Sequence, residues 1–136
     1  MDLKKFLYLN NAQKQIDKLA KKYKNKKIVI YGAGEYFDLI RENYDLSELN
    51  IVGISDIKFD TDKSLNKTNY NALAPDELKT YDFDVLVIAL RNYYNIMKIL
   101  DDKTFNDSKN KNVKIIPLIY PTLNYLFKLF CVNCSL

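Results

Sequence analysis

The run over residues 26–31 ends in four consecutive apolar positions, Ile28-Val29-Ile30-Tyr31, and a second run, Val85-Leu86-Val87-Ile88-Ala89-Leu90, is apolar throughout. Such runs, with no polar alternation, predict strands buried on both faces, as in a parallel sheet. Ile51-Val52-Gly53-Ile54-Ser55, stopping at Asp56, and Val113-Lys114-Ile115-Ile116, halted by Pro117, read as two further strands. Elsewhere the period changes to that of a helix. Leu9, Ala12, Ile16, Leu19, Ala20 and Tyr23 predict an amphipathic helix over 3–24, with lysines on its other face. Tyr36, Phe37, Leu39, Ile40 and Tyr44 predict a helix from Glu35 to about Tyr44. Ile96, Met97, Ile99 and Leu100 predict one from Tyr94 to about Asp101, and Pro121 opens a last one through about Phe130. Ala74-Pro75-Asp76-Glu77-Leu78 starts a short helix, with Pro in the first turn and acids at the positive end of the dipole. The polar stretches 57–70 and 103–112 read as loops.

Strands therefore alternate with helices in the order α-β-α-β-loop-α-β-α-β-α. This predicts an α/β fold: a single Rossmann-like domain over 1–136, with an open parallel sheet of four to five strands and helices on both faces. Crossovers should be right-handed. Within it, 1–25 is a leading amphipathic helix, 26–116 a nucleotide-binding-like core, and 117–136 a C-terminal helix and tail. No internal repeat and no second domain boundary is visible.

Composition narrows the chemistry. The chain has 136 residues and no histidine, which removes imidazole bases, His-containing triads and His-ligated metals. The net charge of +4 hides a split: residues 1–27 carry +7, residues 28–102 carry −7, and residues 103–136 carry +4. An acidic middle argues against a nucleic-acid reader, and so does having only two arginines, Arg41 and Arg91, among 21 basic residues. The lysine face of the leading helix could meet an acidic partner or anionic lipid, but a solvated face is the plainer reading. The eleven tyrosines fall mostly at core spacings, which favours half-buried aromatics over a base-stacking surface.

Cys131-Val132-Asn133-Cys134 is a C-x-x-C near the end of the chain. It follows a helical stretch rather than opening one, unlike a redox pair, and a zinc site would need two more ligands, which only a second copy could supply. Two reduced thiols in a frayed tail is the simpler expectation, and no metal is expected. No signal-peptide pattern is visible, and the apolar-rich run Leu123–Val132 is too short to span a bilayer. The default is a cytoplasmic protein.

The stretch that carries chemistry is Ile28-Val29-Ile30-Tyr31-Gly32-Ala33-Gly34-Glu35-Tyr36-Phe37, a buried strand running through G-x-G into a helix. The first glycine allows a tight turn, the second lets a phosphate approach the backbone, and the helix start offers unpaired N–H groups. Asp56 follows Gly34 by 22 residues, where the dinucleotide fingerprint places an acid for a ribose hydroxyl. A turn-forming Asp at a strand end is the equal alternative. Two features depart from the fingerprint. Phe37 stands where it wants Gly or Ala, and a large ring there should push the helix outward or rotate it. Glu35 places negative charge where a phosphate would lie. Arg91 and Asn92 follow the third strand on the same carboxyl edge, and Arg91 is the best candidate for a phosphate or carboxylate contact; an exposed loop cation is its plainer reading. Gly32, Ala33, Gly34, Glu35, Asp56, Arg91 and Asn92 form the candidate cofactor-binding set, with no catalytic residue identified.

The segments KKIVIYGAGEY, NIVGISD, YNALAPDEL and FDVLVIAL, in that order, resemble the Rossmann-like (CoA-binding-like) nucleotide-binding domains of bacterial polysaccharide-biosynthesis sugar-nucleotide enzymes, over about residues 26–116. The resemblance implies a ligand such as NAD(P) or a nucleotide-sugar held at Gly32, Gly34 and Asp56. It also implies a catalytic partner domain that this sequence does not contain. The expectation is a nucleotide or nucleotide-sugar binding module, alone or as a homodimer, without catalysis of its own. The alternative is a protein-interaction or structural domain with a degenerate pocket. A small methyltransferase is a third reading, weakened by Ile30 where that class carries an acid. If the pocket works, Gly34→Val should abolish binding and leave the fold, while Phe37→Gly should strengthen or alter binding.

Overall fold

The two most apolar runs form the centre of the sheet. In the computed structural model, which describes residues 2–106 and 109–134 (130–134 as backbone only), β1 (Ile28–Tyr31) and β4 (Val85–Ile88) lie side by side, fully buried. β2 (Ile51–Ser55) pairs with the other edge of β1, and β3 (Ala72–Leu73) with β2, while β5 (Lys114–Pro117) flanks β4. The five-stranded sheet has the order β3-β2-β1-β4-β5, with every pair parallel, as the strand–helix alternation predicts.

Alternation along each strand divides the core in two. Ile28, Ile30, Ile54, Val85, Val87 and Ala89 belong to one cluster, covered by α1 (Leu3–Leu9), α2 (Ala12–Lys22) and α3 (Glu35–Asn43). Val29, Tyr31, Leu86 and Ile88 belong to the other, with Leu78 of a 3₁₀ turn (Pro75–Lys79), Leu100 of α4 (Tyr93–Leu100), and Phe105. Each fully buried aliphatic or aromatic side chain contributes roughly 1.5–3 kcal/mol relative to exposure.

Several boundaries differ from the sequence-based expectation. The helix expected over 3–24 is two helices, because Asn11 takes a left-handed conformation with φ 52°. Asparagine tolerates that conformation better than most residues. The break is a built junction. Asn10 is fully buried; its Nδ2 donates to Phe6 O at 2.7 Å, and its Oδ1 accepts from Thr122 N at 2.7 Å. Gln15 donates to Tyr120 O and accepts from Tyr120 N, both at 2.8 Å. The N-terminal helices are thereby fastened to the segment leading into α5 (Leu123–Cys134).

The expected loop 57–70 contains two 3₁₀ turns, Ile57–Asp60 and Lys63–Leu65, and the helix expected after Ala74 is itself only a 3₁₀ turn. Asp101–Phe105 continues α4 as a wide π turn into the expected loop 103–112. β5 includes Pro117, which an edge strand tolerates. The last helix runs past Phe130, so Cys131 and Cys134 lie on its backbone rather than in a tail. Their side chains, and with them the thiol reading, lie outside the described residues. Among the described residues, no helix is long and apolar enough to cross a membrane, and no cluster of His, Cys, Asp and Glu is placed to hold a metal.

Candidate functional site

β1 leads through α3 to β2 on one side, and β4 leads through α4 to β5 on the other. The carboxyl ends of β1 and β4 therefore flank the point where the strand order reverses, which is where open α/β sheets form a ligand crevice. Gly32 and Arg91 both emerge there.

The two glycines do different things. Gly32 has φ +114°, and a Cβ built on it would lie 2.7 Å from Ala89 O and 3.0 Å from Leu90 Cγ. The fold itself demands glycine at this point, to let β1 turn beside the end of β4. Gly34 has φ −105°, open to any residue, and a Cβ there would meet nothing within 4 Å. What glycine leaves at position 34 is open space over the start of α3.

That start is uncapped. The first intrahelical bond runs from Asp38 N to Gly34 O at 3.0 Å, and Gly34 has no side chain to cap with. The N–H groups of Glu35, Tyr36 and Phe37 consequently have no acceptor within the helix, and the macrodipole adds partial positive charge. Glu35 is exposed at this end and complements the dipole in competition with any anion, while Asp38 is turned to Arg41 at 3.1 Å. Phe37 is completely buried in the cluster that holds α3 on the sheet.

Asp56 ties β2 to the glycine turn. Its Oδ2 accepts from Ala33 N at 2.7 Å and its Oδ1 from Lys58 N at 3.1 Å. Lys58 Nζ returns to Ala33 O at 2.5 Å, and Gly32 N donates to Ser55 O at 2.8 Å. Asp56 thus forms the turn, as one of the two sequence readings has it. A carboxylate has roughly four acceptor sites, so two bonds leave capacity for a ligand hydroxyl.

Across the crevice, Arg91 is exposed but engaged: its guanidinium lies 4.4 Å over the Phe6 ring, with Nη2 3.4 Å from Tyr125 Oη. Phe6 and Tyr125 meet edge to face at 5.2 Å. Arg91 therefore stacks on α1 and α5 as well as marking the sheet edge. Asn92 stands at the start of α4 without a capping bond from its side chain. Burial pushes the Tyr36 phenol well above its ordinary pKa, an effect the nearby Arg91 charge partly offsets. Tyr31 is raised chiefly by burial, with Asp56 and Asp60 adding to it.

The structure thus brings Gly32, Ala33, Gly34, Glu35 and Asp56 into one connected turn, with Arg91 and Asn92 on the same sheet edge. Sequence reasoning missed Lys58 and Tyr36. Tyr36 is visible in the sequence only as a core aromatic; Lys58, two residues after Asp56, resembles any loop lysine. An open hollow of about 700 Å³ lies elsewhere, among Lys14, Lys18, Lys21, Lys24 and Glu48. It belongs to the basic surface of α2 and brings no candidate residue together.

A family model described as C2185-like, N-terminal, matches residues 24–116. That span covers the glycine turn and nearly the whole sheet and leaves α1, α2 and α5 outside. No curated protein and no solved structure matches the chain.

Proposed function

The chain belongs to the C2185-like N-terminal family, and for this member we propose a binding module for a nucleotide-type ligand, a nucleotide-sugar or NAD(P), seated at the carboxyl edge of β1, β2 and β4. The observation that carries the reading is the uncapped start of α3 at the point of strand-order reversal, with open space where a Gly34 side chain would stand. The phosphate rests on the N–H groups of Glu35, Tyr36 and Phe37. Asp56 accepts from a ribose hydroxyl with its remaining lone pairs, and Lys58 supplies positive charge beside Ala33. The chain contributes recognition, and chemistry belongs to a catalytic partner domain or partner protein. The resemblance in sequence to domains of polysaccharide biosynthesis supports a role for that ligand in surface-glycan assembly in the cytoplasm.

A rival reading, an interaction domain with a degenerate site, draws on two observations: Asp56 occupies the Ala33 N–H, and Phe6 stacks on Arg91. Amide NMR separates the two. Titration with UDP, UDP-sugars and NAD should move the resonances of residues 32–36, Asp56 and Lys58 together and leave α2 unmoved. Spectra unchanged across the panel, or changes confined to α2, would favour the rival.

A further inference from the structure

We propose that α1, α2 and α5 together form a docking surface for an anionic phospholipid bilayer, with α5 lying in the plane of the interface. The inference is independent of the nucleotide reading.

Three observations carry it. First, α5 buries one face and exposes another. Tyr125 is packed against Phe6, but Leu123, Leu126 and Phe127 are 85%, 49% and 67% exposed. Their spacing of three and four residues puts them in one stripe about 100° wide, the geometry of a helix with an unmatched apolar face. Second, the neighbouring elements are basic. Residues 1–27 hold nine lysines against two acids, and α5 carries Lys128 and no acid. Third, the structure joins these segments in one layer through the Asn10–Thr122 and Gln15–Tyr120 bonds. Lys18 and Lys22 line a groove of about 200 Å³ with Tyr120, just ahead of α5. Lys128 is exposed on α5 itself.

An exposed apolar stripe beside clustered lysines is the composition of an interfacial helix, where apolar side chains enter the headgroup boundary and lysines hold anionic headgroups. Charge decides between occupants. A second copy of this layer would bring two strongly basic surfaces together, at a cost in repulsion. An anionic bilayer is complementary to both the stripe and its surroundings.

The test is co-sedimentation of the full chain with vesicles of phosphatidylcholine alone and of an equal mixture with phosphatidylglycerol. The protein should pellet with the mixed vesicles only, and salt should release it. Lys18→Gln and Lys22→Gln should each weaken partitioning about fivefold. Leu126→Gln with Phe127→Gln should weaken it about tenfold or more. These positions are exposed, and unchanged circular dichroism confirms that each variant is folded. Absence of binding to mixed vesicles, equal binding to both compositions, or indifference to the α5 double variant would overturn the proposal. So would a dimer in sedimentation that the α5 double variant dissolves, with no vesicle binding, since that result assigns the stripe to a second copy.

Discussion

Asp56 Oδ2 lies 2.7 Å from the nitrogen of Ala33, so the acid that ends β2 holds the glycine turn that ends β1. The same carboxylate caps the following 3₁₀ turn through Lys58 N. Hydrogen bonds to a charged group are worth about 1.5–3 kcal/mol. Asp56→Ala should therefore lower stability by about 2 kcal/mol in urea unfolding, and Asp56→Asn by less, because it keeps an acceptor. Equal stability of wild type and Asp56→Ala would show that the turn holds without the bridge.

The glycines should respond oppositely to a methyl group. Gly32→Ala combines a positive φ with a contact of 2.7 Å to Ala89 O, so it should destabilise by about 2 kcal/mol or more. Gly34→Ala has room and an ordinary φ, and should change stability by less than about 1 kcal/mol, in the stabilising direction if at all. Thermal unfolding of both variants measures the contrast.

Phe37 governs stability before it governs a ligand. Its ring is fully buried among residues of β1, β2 and α3, so Phe37→Ala should cost about 3–5 kcal/mol and Phe37→Gly more. The sequence-based expectation that Phe37→Gly strengthens or alters binding gives way to an expected loss of the fold. A cooperative unfolding curve for Phe37→Gly, with near wild-type midpoint, would contradict this.

Alkaline pH should loosen the core through buried phenols. Tyr36 and Tyr31 are raised above their ordinary value of 10.0, mainly by burial. The stability they contribute is fully present below pH 10. It is lost as pH rises from there towards the folded-state values, because the unfolded chain ionises first. The melting temperature should fall above pH 10, and Tyr36→Phe should flatten that fall. Tyrosinate absorbance should show late-titrating phenols in wild type. If all tyrosines titrate together near 10, the burial assigned to these two is wrong.

The central strands were legible because β1 and β4 are apolar at every position, which leaves few alternatives to a parallel sheet. β3 was not: two residues, Ala72 and Leu73, carry no pattern, and pairing with Ile54 and Ser55 alone makes them a strand. Asn10-Asn11 was the visible sign of the helix break, overridden by an apolar spacing that stays in phase across it. At the site, Gly32 and Asp56 were legible as a turn and a strand-end acid. The bond between Asp56 and the Ala33 N–H was not, since the fingerprint assigns that acid to a ligand. Arg91 could be placed on the sheet edge, but its stacking on Phe6 joins residues 85 positions apart that no local pattern connects.

The most direct test of nucleotide binding is a thermal-shift comparison of wild type and Gly34→Val against NAD, NADP, S-adenosylmethionine, CoA, UDP, CMP and nucleotide-sugars. A ligand at a hundred times its Kd adds about 2.7 kcal/mol, which for a domain of this size is a rise of roughly 10 °C. One ligand class should raise the wild-type midpoint and leave Gly34→Val unmoved, with both proteins melting alike when no ligand is present. No shift for any compound, or the same shift in both proteins, would contradict a phosphate seat over the start of α3.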